Sequence, residues 1–385
     1  MKKICAITTI SKTVESFAVD YYTYMAEVDD YDVTIVSDYD DGFQARLAED
    51  IRFHPIGMDR GVSFKGIRTI FEMYRFFKEE DFDLVQYSTP NASLYASFAS
   101  FLAGVPVRLY CQWGIYYVSH KGIARFIFKT IEKIVCRLST HIQPDSYGNL
   151  HFSRQEGLYG EEKSSVVWNG SASGVDLEKF DIERKDEWRQ QIRQQYAIPE
   201  EAFFIGFIGR ITKDKGVYEL LTMLKALVPK YPNLYVMIAG DFEDPNLEQY
   251  PAYQWSLEQD RIIYPGRISG VERYYAAMDL FVLPSYREGF GTVIIEAEAM
   301  GVPVVVTDIP GPTEAMLPGE SGLVVAKESS QALIDAVEWM IQHPQEAEAM
   351  GRKGRDYAAT HFDKKILNQK VHHNRNQLIE QAGRA

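Results

Sequence analysis

Two consecutive doubly wound α/β domains, each a parallel sheet wrapped by helices, are what this sequence predicts. Three observations carry the prediction. Short β-branched runs alternate with longer helical patterns, which is the arrangement βαβ units produce. The alternation restarts near residue 203. The 385 residues also exceed what one ordinary core holds and suit two domains of common size.

In the first half, strands are expected at 4–9, 32–37, 84–87, 107–111 and 165–168, with helices at 63–78 and 123–138. The second half gives strands at 203–209, 234–239, 262–264, 280–284, 303–306 and 323–325. Helices at 216–227, 271–278 and 292–300 lie between them. The seam falls at Asn169-Gly-Ser-Ala-Ser-Gly174, rich in residues that tolerate tight or left-handed backbone. The domains are therefore placed at 1–170 and 175–361. The tail, 362–385, reads as a polar outer helix that packs back towards the first domain.

A net charge of −13 argues against a nucleic-acid partner. The charge is uneven, since residues 60–141 carry 11 Lys and Arg against 6 Asp and Glu. Cys5, Cys111 and Cys136 have neither CxxC nor CxH spacing, so no disulfide framework or zinc site is expected. The start, Met1-Lys-Lys-Ile-Cys-Ala-Ile7, enters a strand directly and lacks the features of a secretory leader. The uncharged stretch 84–107 is long enough to span a bilayer, but Pro90, Asn91, Gly104 and Pro106 cut it into shorter elements. The expected location is cytoplasmic, peripheral on the inner face of the cell membrane.

Four signals in the second half fit the holding of a nucleotide diphosphate sugar. Gly209-Arg210 ends a strand, and Lys215-Gly216 opens a helix; cations there can neutralise a departing diphosphate. In Pro284-Ser-Tyr-Arg-Glu-Gly-Phe-Gly-Thr292, Gly289 and Gly291 let backbone approach a ligand, and the helix start favours phosphate. Glu288 in that turn and Glu296 in the helix can accept bonds from hydroxyls of the sugar and the ribose. Glu298 falls on a different helix face and reads as solvated. Tyr264-Pro-Gly-Arg-Ile268 ends another strand and could wall the base. Each alone has a bland reading, as a solvated loop or an ordinary glycine-rich turn.

In combination, Gly-Arg-(x4)-Lys-Gly, Glu-Gly-Phe-Gly-Thr-(x3)-Glu and Gly301-Val-Pro-Val-Val305 resemble the family 4 glycosyltransferases of the GT-B fold. The resemblance covers residues 160–360, and the 169–180 segment is similar to the hinge of a bacterial subgroup. That subgroup assembles capsule, O-antigen and lipid-linked oligosaccharides. The resemblance implies two Rossmann-like domains facing across a cleft. It implies Arg210 and Lys215 on the diphosphate, and Glu288 on sugar hydroxyls, as the catalytic set. Donor contacts from Gly289, Phe290, Gly291, Thr292, Glu296 and Ile268 follow, with Glu296 on the ribose. Retention of configuration, a UDP-sugar donor, no metal or other cofactor, and a lipid-linked or saccharide acceptor are further implications.

The first half matches the family less closely. Thr8-Thr-Ile-Ser-Lys-Thr13 stands where many members carry Gly-Gly, and Cys111-Gln-Trp-Gly114 where many carry histidine. His120 lies beyond that place and inherits no catalytic role. Asp38-Tyr-Asp-Asp41 could suggest a metal site, but a solvated loop is the better reading. Lys121, Arg125, Lys129, Lys133 and Arg137 form a basic stripe on one helix, and Lys65, Arg68, Arg75 and Lys78 repeat it on another. These stripes either cover a sheet or meet an anionic membrane surface. A nucleotide-sugar 2-epimerase and a non-catalytic sugar-nucleotide-binding subunit are the competing functions.

Overall fold

The computed structural model describes residues 1–28, 31–58 and 65–383. The first two residues of the helix expected at 63–78, the Lys65 side chain and the end of the tail lie outside them.

The chain divides into two compact units, one formed by Met1–Ser173 with Lys364–Ala385 and the other by Gly174–Asp363. The first holds a six-stranded sheet of β1 (Lys3–Ile7), β2 (Asp32–Ser37), β3 (Ile51–Pro55), β4 (Leu84–Tyr87), β5 (Val107–Gln112) and β6 (His141–Pro144). The second holds β7 (Phe203–Ile208), β8 (Leu234–Ala239), β9 (Ile262–Gly266), β10 (Leu280–Leu283), β11 (Val304–Thr307) and β12 (Gly322–Val325). The orders are β3-β2-β1-β4-β5-β6 and β12-β11-β10-β7-β8-β9, so each sheet reverses direction once, between β1 and β4 and between β7 and β10. Every pairing between these strands is parallel.

Helices cover both faces, which is why the strands read as near-continuous apolar runs. In β1, Ile4 and Ala6 join one core cluster while Cys5 and Ile7 join another, the alternation that a pleated strand imposes. The second unit has one large core built on Phe204, Phe207, Val236, Ile238, Phe281 and Val305.

Several expectations need correction. Residues 165–168 are not a strand; Ser164 makes a single bridge to Ile142, and Trp168 sits in a turn at φ +51. β3 and β6 were not foreseen. Their sequences, Ile-Arg-Phe-His-Pro and His-Ile-Gln-Pro, are short, mix β-favouring residues with polar ones and end in proline, and they are held by pairing with β2 and β5. The tail helix, Lys364–Gly383, is not merely an outer polar helix. It buries Leu367, Asn368, Val371 and Arg375, and the Arg375 guanidinium donates to Gln86 Oε1 at 2.9 Å.

Glu298 is also reversed, from solvated to fully buried. The helix Pro344–His361 covers it through Gly354, where a Cβ would lie 2.9 Å from Glu298 Cγ. Ser321 Oγ donates to Glu298 Oε1, and burial pushes the carboxyl up to about 8. The folded protein therefore keeps a proton that the unfolded chain releases near the ordinary carboxylate value. Stability from this group is full below pH 4.5 and is lost as pH rises through about 8. Glu298→Gln should flatten that decline and stabilise the protein by about 3–4 kcal/mol at pH 8 relative to its effect at pH 5.5 or below. Denaturant melts of both proteins at pH 5.5 and 8 check this, and equal slopes against pH would refute it.

Candidate functional site

In open parallel sheets, loops leaving neighbouring strands at the point of reversal diverge and leave a crevice beyond the carboxyl ends. In the second unit that point lies between β7 and β10. The loops leaving these strands hold Gly209–Gly216 and Pro284–Gly291, two of the segments whose combination carried the family resemblance.

Glycines press these loops together. Gly216 has φ +71, and a Cβ there would lie 2.0 Å from the Pro284 carbonyl oxygen. The Tyr286 amide donates to the Asp214 carbonyl at 2.8 Å, tying the same loops again. Gly240, after β8, would place a Cβ 1.8 Å from Gly209 O, while the Ile211 amide donates to Asp241 O at 2.8 Å. Gly311, after β11, would clash with Gly289 O at 2.5 Å. Four strand ends thus converge on backbone contacts that a side chain would block.

This packing sets the charges. Lys215 Nζ lies 2.6 Å from Glu288 Oε1, and both side chains are less than one-fifth exposed. Ser285 Oγ donates to the same oxygen at 2.7 Å. Arg210 is half-exposed, with Nη1 at 3.0 Å from Glu243 Oε2 and Nη2 at 3.7 Å from Asp214 Oδ2. Arg287 Nη2 approaches Asp214 Oδ2 to 3.2 Å. Burial alone would raise the Asp214 carboxyl, but the Thr212 hydroxyl and the Arg287 and Arg210 guanidiniums hold it below the usual range.

Glu296 lies in the helix Thr292–Ala299, whose N-cap is Gly291 at φ +92. It accepts from the Tyr275 hydroxyl at 3.1 Å, and burial pushes its carboxyl up to about 7. Phe290 is buried edge-on against Phe362, so its side chain serves the core and only its main chain can serve a ligand. Ile268, after β9, is half-buried against the main core. Next to it, Arg267 pairs with Asp241 at 3.5 Å.

Sequence reasoning missed Asp214, Glu243, Ser285 and Arg287. The last two stood inside the quoted Pro284–Thr292 motif; Glu243 gave no signal, because its role depends on where β8 ends.

In the first unit, the Thr9 amide and hydroxyl meet Thr89 Oγ1 at 3.0 and 2.7 Å, and Thr89 itself has φ +69. His120 packs its ring against Tyr116 and Phe128. Asp40 takes a short bond from Ser11 and an ion pair from Arg46 at 2.8 Å. Among the described residues, no group of three or more His, Cys, Asp or Glu could hold a metal ion.

Two family models match the chain, "Glycosyl transferases group 1" over residues 189–357 and "Glycosyl transferase 4-like" over 3–146. The capsular polysaccharide biosynthesis glycosyltransferase CapM of Staphylococcus aureus is 30% identical over 338 residues, which is 87% of each chain. A Campylobacter jejuni relative is 25% identical over 72% of this chain and 73% of its own. It is the N,N'-diacetylbacillosaminyl-diphospho-undecaprenol alpha-1,3-N-acetylgalactosaminyltransferase. The solved structure of Anabaena HepE with UDP-glucose superposes with a TM-score of 0.80 at 20% identity, covering 98% of this chain and all of that one.

The close approach of the two central loops can be tested directly. Gly216→Ala adds both a left-handed strain and a clash, and should cost about 2–4 kcal/mol. A fall in melting temperature of roughly 5–10 °C follows for a unit of this size. Lys213→Ala, in the same turn, should stay near wild type. A neutral Gly216→Ala would show that the loops are not held by this contact.

Proposed function

The chain belongs to the family 4 glycosyltransferases of the GT-B fold, and from that premise we propose a retaining enzyme that uses UDP-sugar and needs no metal. Its product is a bacterial surface polysaccharide or the lipid-linked oligosaccharide that precedes one. The observation that carries the donor reading is the Lys215–Glu288 pair, set with Arg210 at the reversal of the second sheet.

The chemistry needs charge stabilised as the diphosphate leaves. Lys215 and Arg210 supply it once the diphosphate replaces Glu288 and Glu243 as their partner, and the uncapped start of the helix Thr292–Ala299 adds amide donors. Gly289 and Gly291 allow the phosphate to approach backbone. Glu288 accepts from the sugar hydroxyls, Glu296 from the ribose, and Ile268 walls the base. With cations already in place, no cofactor is required. A donor phosphate oxygen takes the acceptor proton, so attack occurs on the face from which the diphosphate departs.

The acceptor is assigned as lipid-linked. The Campylobacter relative's undecaprenol-diphosphate substrate supports this, and so does an unusual surface in the first unit. No helix among the described residues is long and apolar enough to cross a membrane. Yet the helix Gly122–Leu138 leaves Ile123 80% exposed and Phe126 73% exposed, while it buries Glu132 and Cys136. The helix Lys65–Glu80 leaves Ile67 and Phe71 more than half exposed. A helix that merely covered a sheet would turn these apolar residues inward. Lys129 and Arg125 are partly neutralised by Glu156, at 2.7 and 3.5 Å, leaving Lys121, Lys133, Arg137, Arg68 and Arg75 for anionic head groups. A peripheral position on the inner membrane face follows.

Calorimetry with UDP, GDP and ADP, with and without EDTA, tests the donor assignment. UDP should bind best and be indifferent to EDTA. UDP binding without transfer to any lipid-linked acceptor would favour a non-catalytic subunit, and epimerised donor in the absence of acceptor would favour the epimerase.

The ribose role makes a prediction of its own. An ionised carboxylate is the better acceptor, so UDP-glucose affinity should rise about fivefold from pH 6 to 8 as Glu296 loses its proton near 7. Glu296→Gln should bind independently of pH over that range; an unchanged profile would reassign the residue. For the membrane contact, vesicles of phosphatidylglycerol should bind the protein at low salt and release it as salt rises. Phe126→Glu should weaken binding about tenfold, and no binding at low salt would reject the surface.

A further inference from the structure

The structure assigns Ser285 as the residue that positions Glu288 for the donor sugar, an inference that rests on the reading of Glu288 given above. The case begins with the two oxygens of the Glu288 carboxylate. Oε1 accepts both from Lys215 Nζ, at 2.6 Å, and from Ser285 Oγ, at 2.7 Å. Oε2 accepts no hydrogen bond among the described residues. One oxygen is occupied by the protein and the other is left to a ligand. Before donor binds, both donors hold the same oxygen, so the carboxylate already presents its other oxygen outward.

Ser285 is suited to this by its surroundings. It is fully buried, and its own carbonyl accepts from Thr307 Oγ1 at 2.5 Å, at the end of β11. Thr307 is also buried. The second donor, Lys215, is fixed through the contact of Gly216 with Pro284, the residue before Ser285. Both donors to Oε1 are therefore referenced to the same short stretch of main chain, and Glu288 is placed by its immediate neighbours. Lys215 alone would not suffice. It is expected to turn towards the diphosphate when donor binds, which leaves Ser285 as the constant partner.

This separates the two roles in a way experiment can read. Loss of the Ser285 hydroxyl should leave the diphosphate contacts alone and loosen the oxygen that meets the sugar. Ser285→Ala should bind UDP within about twofold of wild type and lower turnover about tenfold. The assay is UDP release from UDP-glucose, UDP-galactose and UDP-N-acetylglucosamine in the presence of undecaprenol-diphosphate-linked saccharide. If Ser285 acts through Glu288, the double variant Ser285→Ala/Glu288→Gln should be no slower than Glu288→Gln alone. A structural defect would instead multiply the two losses and lower UDP affinity. Wild-type turnover in Ser285→Ala, beside a crippled Glu288→Gln, would overturn the inference by itself. Equal turnover of wild type and Glu288→Gln, or UDP release from none of the three donors, would overturn the donor-site reading and this inference with it.

Discussion

The contact of Gly216 with the Pro284 carbonyl is the constraint on which the candidate site depends. It occurs where the second sheet reverses and loops from neighbouring strands leave in opposite directions. Without it, Lys215 and Glu288 would belong to separate loops, each free to be solvated. With it, a lysine and a glutamate 73 residues apart form a largely buried pair. The conformational cost of ordering the two loops falls first on the backbone contact, since a largely buried ion pair must also repay the desolvation of both its charges.

The other glycines extend the same logic. Gly240 and Gly311 bring the loops after β8 and β11 against Gly209 and Gly289, so four strand ends share one rigid mouth. Rigidity of this kind suits a site that stabilises charge developing in a transition state, because donors already in place need no reorganisation. The first unit shows a different solution. Its loops after β1 and β4 are joined by the hydroxyls of Thr9 and Thr89, and glycine is absent from that junction.

Much of this was legible in the sequence. The two alternating halves, the central strands and the glycine-flanked Arg210, Lys215 and Glu288 all announce themselves through periodicity or turn chemistry. Other features depend on contacts that local sequence does not encode. β3 and β6 exist because a neighbouring strand pairs with them. Glu296 and Glu298 lie two residues apart in one helix, and nothing in that helix shows that Gly354 and Ser321 will close over the second. Asp214 stands in a Lys-Asp-Lys turn that by itself names no partner for it. Its role as the meeting point of Arg210 and Arg287 requires both loops to be in place. For Ile123 and Phe126 the sequence leaves two readings open, because helical spacing reveals an apolar face but not which side the core lies on.

The mouth of the second unit pairs Arg210, Lys215 and Arg287 with Asp214, Glu243 and Glu288, three cations against three carboxylates. Before any anion arrives, its local field is therefore close to neutral, inside a chain of net charge −13. Such a mouth does not draw phosphates from a distance. On the donor reading proposed above, entry would be an exchange of partners at contact range, with a rate that depends little on ionic strength. On that reading, the same balance would disfavour inorganic phosphate, which lacks a nucleoside to add to the exchange. Selectivity then begins with the partners a newcomer must displace, before any sugar hydroxyl is recognised.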